Sequence, residues 1–554
     1  MQLAMLDFVA MRQIPVRLWL LAVVSGVLQV LAFPLTQQIQ GWPVLAWAGP
    51  VFLLLALLDT NAEGQALTVK QGAAVGYACG IVWYIGNCWW IYQTMYLYGG
   101  LPKPVAAVIL LLFAMYLGLY HALFGALMAG LRRLGTGWAL ALAPFCWVAV
   151  ELARARITGF PWDLLGNSQV DNALPSHLAP FAGVMAVSFV VAGVNASVAS
   201  VFFQRTRLRL SLAAVFVLVA GGLTVLPPLD MPLLNKHQFS TAVLLQENLE
   251  VGAVGKEAAP LTMEEKYREF SRLSEHPLWS PAATADGFAA WQQAEPAPAP
   301  ALVVWPEAPA DFLTSDERFR GILGDVARAT RAPVIAGSLG VDRDPGVQRG
   351  YKLYDSAALI APDGGFQGRY DKIHLVPWGE YVPFKELFFF AGKLTAGVGN
   401  MDPGSRRDLF HAGGHVYGVF ICYESIFGDE VREFVKNGAE VLVNISDDGW
   451  YGDTGAPWQH LNMARMRAIE NRRWVIRDTN TGVTTTIDPF GRTMLEAPRH
   501  VRGAYAMPFE YKSRVTFYTR HGDWFAWVCL CVTLAGLGWA RLTQTKVEAD
   551  ALRG

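Results

Sequence analysis

Two patterns of apolar residues divide this 554-residue chain. Seven apolar stretches of bilayer length precede residue 230, at about 18–33, 42–58, 71–94, 104–131, 137–153, 178–203 and 210–227. An eighth lies at about 524–540. Helix is their expected form, because hydrocarbon offers the backbone no partner but itself. Between 228 and 522 the apolar runs shorten and are punctuated by turn residues. Strands are expected at 242–247, 301–305, 333–337, 354–360, 415–422, 440–445, 474–479 and 483–488. Helices are expected at 262–275, 315–330, 426–437 and 457–473, and a hairpin turn at 489–492 (PFGR). Strands alternating with helices argue a layered α/β domain. The expected organisation is therefore seven spans in 1–227, a catalytic α/β domain in 228–522, and an eighth span with a short tail in 523–554. Residues 281–300 are rich in Ala and Pro and read as an insertion.

Charge orients this layout. Arg12, Arg17, Lys70, Arg132, Arg133, Arg205, Arg207, Arg209, Arg541 and Lys546 all fall on one side if eight spans alternate. The excess of basic residues makes that side cytoplasmic. Residues 228–522 then face outward, which in a bacterium is the periplasm, with the chain anchored in the inner membrane. Arg154 and Arg156 break the pattern. The first span lacks a small-residue cleavage site and reads as an uncleaved anchor. Glu151, near the end of the fifth span, reads either as a functional acid at membrane depth or as an interfacial pair with Arg154. A formal net charge of -1 gives no reason to expect a nucleic-acid partner.

Candidate chemistry begins with Cys422, the one cysteine of the soluble stretch; Cys79, Cys88, Cys146, Cys529 and Cys531 lie in or beside the apolar spans. It ends an apolar run (GVFIC) and precedes polar residues, where a strand should turn into a helix. Two other segments place polar groups after a strand: VVWPEAP, with Glu307, and GRYDKIHLVPWGEYVPF, with Lys372, His374 and Glu380. Open α/β sheets put their chemistry at such ends. A carboxylate can take the thiol proton, an ammonium can hold a tetrahedral oxyanion, and a helix beginning near Ser425 would favour thiolate. The bland alternatives are a core cysteine, a solvated acid and a surface lysine, and His374 leaves a Cys–His pair open. His411 and His415 have helical metal spacing, but Gly413 and Gly414 between them spoil it, and no metal or cofactor is expected. The segment 382–399, with Phe388 and Phe389, reads either as a core helix or as an apolar lid resting on membrane lipid.

WPE at 305–307, YDKIHLVPWGE at 370–380 and CYE at 422–424, in this order, resemble the nitrilase superfamily. With GFPW at 159–162 and eight spans, the chain is similar to the bacterial apolipoprotein N-acyltransferases. That resemblance implies an α-β-β-α sandwich and a triad in which Cys422 is acylated by a phospholipid donor, then yields the acyl group to the α-amino group of a diacylglyceryl-cysteine on a lipoprotein precursor. It assigns Glu307 as base and Lys372, with the Tyr423 N–H, as oxyanion donors. It implies supporting roles for Glu380, Tyr423, Glu424 and Trp450. The loop 246–267 lacks a tryptophan that the family often carries there. A membrane-tethered amidase and a transporter with an outer binding domain are the alternatives.

Overall fold

The computed structural model describes residues 13–228, 239–249, 251, 261–279, 299–307, 312–347, 349–381 and 400–551. The segment 382–399, with Phe388 and Phe389, lies outside these, as does most of the insertion at 281–300. The apolar first part is helical: α1 (Val16–Val30), α2 (Gly49–Leu58), α3 (Val69–Asn87), α4 (Lys103–Leu131), α5 (Thr136–Ala153), α6 (Ala173–Ala182), α7 (Val184–Phe203) and α8 (Arg207–Val225). Five helical segments of the described chain are long and apolar enough to cross a membrane, at Lys103–Leu134, Thr136–Thr158, Val184–Phe203, Arg207–Val225 and Trp524–Thr545. Two apolar helices, Val16–Val30 and Pro43–Leu58, are shorter. α3 is diluted by Lys70, Gln71 and four glycines.

Those glycines have a packing role. α3 and α4 approach so closely that a Cβ on Gly76 would lie 2.2 Å from the His121 carbonyl oxygen, and one on Gly125 2.1 Å from that of Gly72. Small residues let helix backbones meet this way in lipid. The expected sixth span at 178–203 is broken at Gly183, whose φ of +73° ends α6. A side chain there would also strike the Tyr518 ring, 2.6 Å away.

The soluble part has two sheets. One runs β2-β13-β1-β3-β4-β5-β6 and the other β12-β11-β10-β9-β8-β7. Their strands are β1 (Ser240–Gln246), β2 (Leu278–Trp279), β3 (Leu302–Trp305), β4 (Val334–Arg343), β5 (Tyr351–Ile360), β6 (Phe366–Asp371), β7 (Leu409–Ala412), β8 (His415–Ile421), β9 (Val441–Ser446), β10 (Val475–Thr479), β11 (Thr485–Ile487), β12 (Thr493–Glu496) and β13 (Gly503–Phe509). Leu302, Val304 and Ile335 of the first sheet share a core with Val419, Val443 and Ile476 of the second. The alternate residues Val303, Val334 and Ala336 pack outward, with Phe270 of α9 (Met263–Glu275) and Phe319 of α10 (Glu317–Thr330). On the far side, α11 (Gly428–Lys436) and α12 (Ala456–Asn471) cover the second sheet through Val431, Phe434, Leu461 and Ala464. The layers are α-β-β-α, and the period of two along each strand produces them. The chain ends in α13 (Trp524–Ala551).

The central strands β1, β3 and β4, and likewise β8, β9 and β10, are parallel within their sheets, so each set has its C-terminal ends together. That end meets the helical bundle. Gln459 of α12 donates to the carbonyls of Pro34 (2.8 Å) and Asn87 (3.1 Å) and accepts from Trp162 Nε1 (2.9 Å). Thr36 and Thr454 form a β-bridge. Arg156 pairs with Asp429 and Asp523, and Arg154 donates to the Tyr84 hydroxyl (2.8 Å), so both arginines that broke the loop-charge pattern have partners within the protein. Replacing Gly76 by valine is expected to push α3 from α4 and to cost about 1–3 kcal/mol. A thermal melt of the detergent-solubilised protein reads this directly; an unchanged melt would mean that the helices part freely.

Candidate active site

Glu307 stands two residues beyond β3, Lys372 one beyond β6 and Cys422 one beyond β8. The fold brings all three to one end, and they are 8%, 0% and 6% exposed. The Lys372 ammonium donates to Glu307 Oε1 (2.7 Å), Asp355 Oδ2 (3.0 Å) and Glu380 Oε1 (2.5 Å). These three carboxylates have the spacing of a metal site, but the ammonium they surround already serves as their cation. Two of the carboxylates are themselves positioned by backbone donors. Glu307 Oε2 accepts from the Asp447 N–H (2.6 Å) after β9, and Glu380 Oε2 from the Val376 N–H (2.8 Å). Asp355, in β5, was not singled out in the sequence.

Burial works against charge on all of them, and Lys372 decides which carboxylate keeps it. Glu307 is lowered below its ordinary value, because Lys372 and the donors on both its oxygens outweigh the burial. Asp355 is pushed well above the usual carboxylate range by burial, with Glu307 and Glu380 adding to this, and Glu380 is raised too. The ammonium thus favours the ionised form of Glu307 most, while burial and mutual repulsion shift its two neighbours upward. The Cys422 thiol is raised well above its ordinary value by burial and by Glu307, against the pull of Lys372. At rest the pair is a neutral thiol beside a carboxylate.

The sequence expectation of a helix starting near Ser425 needs correction. Cys422–Ile426 is a 3-10 turn, and α11 begins only at Gly428. The expected support of the thiolate by a helix N-terminus at Ser425 is therefore not seen among the described residues. Cys422 itself has φ +48°, a left-handed conformation costly for a residue with a Cβ. Two groups hold it there. Glu424 accepts from the N–H groups of Ile421 (2.7 Å) and Ile373 (2.7 Å) and from the Tyr370 hydroxyl (2.8 Å), tying the cysteine turn to the lysine loop. His460 of α12 donates through Nε2 to the Cys422 carbonyl (3.0 Å). Its Nδ1 lies 2.9 Å from Asp448, which Arg477 also holds (2.6 Å). The sequence reading missed His460, Asp448 and Arg477; Arg477 alone carried a signal, as a charge inside the apolar run WVIRDT.

The remaining expected residues fall around this centre. The Tyr423 hydroxyl donates to the Gly159 carbonyl of the GFPW loop (2.8 Å), so the residue after the nucleophile touches the helical part. The Trp450 carbonyl accepts from Thr94 (2.9 Å), and its ring meets Tyr98 edge-on at 6.5 Å. Trp162 of the same GFPW loop stacks on His460 at 5.7 Å. His374 does not pair with the thiol; it stacks on Phe427 at 4.4 Å, with Nε2 3.5 Å from Glu430. Glu151 is buried and accepts from Trp147 Nε1 (3.0 Å) and the Leu165 N–H (2.8 Å), which anchors the segment after the GFPW loop.

The fold and site define a carbon–nitrogen-hydrolase-like α/β domain mounted on apolar helices. The family described as "Apolipoprotein N-acyltransferase N-terminal domain" matches residues 25–197, and "Carbon-nitrogen hydrolase" matches 290–507. An apolipoprotein N-acyltransferase of Geobacter metallireducens is 32% identical over 539 residues, covering 96% of each chain. One of Methylococcus capsulatus is 32% identical, covering 85% of this chain and 88% of its own. Among solved structures, Saccharomyces cerevisiae Nit3 of the nitrilase superfamily matches with a TM-score of 0.35 at 17% identity, over 49% of this chain and 90% of its own. The chain belongs to the apolipoprotein N-acyltransferase family and is a membrane protein and an acyltransferase.

Lys372 is fully buried. Lys372→Met would leave three carboxyl groups buried around an apolar chain and is expected to cost about 3–5 kcal/mol of stability. Denaturant unfolding of the purified variant measures this. Wild-type stability would mean that the ammonium is dispensable to the fold.

Proposed function

We propose that this protein transfers an acyl chain from a membrane phospholipid to the α-amino group of a diacylglyceryl-cysteine at the N-terminus of a lipoprotein precursor, through a thioester on Cys422. The observation that carries this reading is the convergence of Glu307, the buried Lys372 ammonium paired with it, and Cys422 at the strand ends that dock on the helices. Glu307 takes the thiol proton as sulfur adds to the ester carbonyl. Lys372 and the Tyr423 N–H hold the resulting oxyanion. The intermediate collapses, Glu307 returns the proton to the departing glycerol oxygen, and a lysophospholipid leaves. In the second half the lipoprotein amine adds to the thioester, Glu307 removes its proton, and the thiol is released. No cofactor is required by these steps. Glu380 keeps Lys372 in place, Glu424 and Tyr423 set the nucleophile's turn, and Trp450 borders the helices.

Domain limits follow the same reading: residues 1–227 carry seven transmembrane helices, 228–522 form the catalytic domain on the periplasmic side of a bacterial inner membrane, and 523–554 hold the eighth transmembrane helix and a cytoplasmic tail. The basic residues support this side. Arg132 lies against the Leu58 carbonyl and Arg133 against Gln544, so these basic loops cluster together, and the catalytic domain docks on the other helix ends.

Intact-mass analysis of protein incubated with phospholipid alone is expected to show one hydroxylamine-sensitive acyl adduct, lost in Cys422→Ala and discharged by a diacylglyceryl-peptide. Glu307→Gln should form it at least about 100-fold more slowly, the usual worth of a positioned base. Normal adduct formation in that variant would assign the proton to another group. A membrane-impermeant protease should cut within 228–522 on intact spheroplasts; protection until the membrane is opened would reverse the orientation.

A further inference from the structure

A groove of about 510 Å³ opens beside the nucleophile's turn, lined by Thr158, Gly159, His374, Tyr381, Tyr423 and Phe427 among others. Its position is specific. Thr158 ends, and Gly159 directly follows, a helical segment long and apolar enough to span a membrane, an end that would sit near lipid headgroups. Tyr423 is next to Cys422, and His374 is two residues from Lys372. The groove therefore runs between the residues that flank Lys372 and Cys422 and the end of that helical segment, and its size suits a small polar ligand group.

His374 is the one histidine on this wall. Its side chain is 33% exposed, its ring stacks on Phe427, and Nε2 faces Glu430 at 3.5 Å. Its backbone N–H donates to Glu424 (3.2 Å), the carboxylate that also holds the cysteine turn. The ring is thus held by two contacts, and its backbone by a third. The charged groups around it are Glu430 and Asp429 of α11 and Glu424 of the cysteine turn, with Asp402 farther along the groove wall and paired to Arg349. Arg407 compensates Glu430, and Arg156 compensates Asp429. Burial opposes charge on the imidazole, but Glu430, Glu424 and Asp429 outweigh it, and the ring is raised above its ordinary value of 6.5. Glu430 is held down to about 2 by His374 and Arg407 against its own burial, so it remains a carboxylate that supports the cation.

We propose that this groove receives the phosphodiester headgroup of the phospholipid acyl donor, with the His374 imidazolium as its anion-recognising group. The inference rests on the acyl-transfer reading above and extends it to how the donor is chosen. A phosphodiester is anionic throughout the neutral range, and three glycerol carbons separate it from the farther ester. A phosphate held at His374 thus leaves an ester to reach the neighbouring Cys422. His374 touches the donor but not the reacting bond, so it acts in recognition and not in proton transfer.

The test compares two donors on the full-length protein in detergent, reading the Cys422 adduct by intact mass. One donor is a phosphatidylethanolamine and the other a phosphate-free p-nitrophenyl ester of the same acyl chain. In His374→Gln the ratio of phospholipid to p-nitrophenyl ester rates is expected to fall roughly tenfold or more, the worth of one charge-assisted contact. In the wild type the phospholipid rate should decline as pH rises through the imidazole's raised pKa, because the cation is lost there. The ester rate should lack that limb, and His374→Gln should lack it with both donors. Glu430→Gln, which removes the supporting carboxylate, should move the limb to lower pH. Equal loss with both donors, or no loss with either, would overturn the headgroup assignment while leaving the thioester intact. Failure of either donor to label wild-type Cys422 would overturn the thioester reading and this assignment with it. Millimolar inorganic phosphate should leave phospholipid acylation unchanged; competitive inhibition would assign the groove to free phosphate instead.

Discussion

One buried ammonium organises the catalytic end of this protein. Taking a lysine out of water costs several kcal/mol, and only close, well-aligned partners repay it. Lys372 finds them in Glu307 after β3, Asp355 in β5 and Glu380 in the loop beyond its own strand. Three separate pieces of backbone must therefore arrive together before the ammonium is satisfied. Glu307 extends the tie to the second sheet through the Asp447 N–H. The interaction that holds the sheet ends together is the same one that keeps Glu307 ionised, so fold and base strength have a common origin.

The nucleophile is arranged by different means. Cys422 has no opposing charge strong enough to ionise it, and its backbone is held in a conformation it would not choose. Glu424 fixes the turn from the lysine side and His460 from the helix side. The thiol is thereby aimed in advance and remains unreactive until a base removes its proton. A protonated thiol is also the poorer target for adventitious oxidation, which suits a cysteine without a disulfide partner.

Much of this was legible in the sequence, and the exceptions have physical reasons. Glu307 and Cys422 each follow an apolar run, and strand ends are where a parallel sheet gathers chemistry, while Lys372 was marked by the segment YDKIHLVPWGE. Asp355 stayed hidden because it sits inside a run, YDSAALI, that reads simply as a strand. His460, Asp448 and Arg477 come from two elements and a connecting turn, and nothing along the chain shows that they meet. Strand β13 was missed because Pro508 discourages a strand reading, although it pairs with Thr241 in register. β6, FQGRYD, is too polar to be recognised, since its role is to deliver Lys372 more than to fill a core. The sixth apolar stretch looked continuous because Gly183 among small apolar residues gives no composition signal, while its positive φ is a tertiary requirement.

The contact between α12 and the helices bears on whether the two parts can exist separately. The Gln459 amide spends its donors on the Pro34 and Asn87 carbonyls and accepts from Trp162, all from the other part of the chain. Gly455 leaves no room for a side chain, since a Cβ there would lie 2.2 Å from the Pro34 carbonyl oxygen. Excised from its helices, the α/β domain would expose a seam shaped for indole and peptide carbonyl, directly under the histidine that steadies the cysteine. The membrane portion is in this sense the missing wall of the enzyme, and an evolutionary path to a freely diffusing form would first have to rebuild that wall from its own residues.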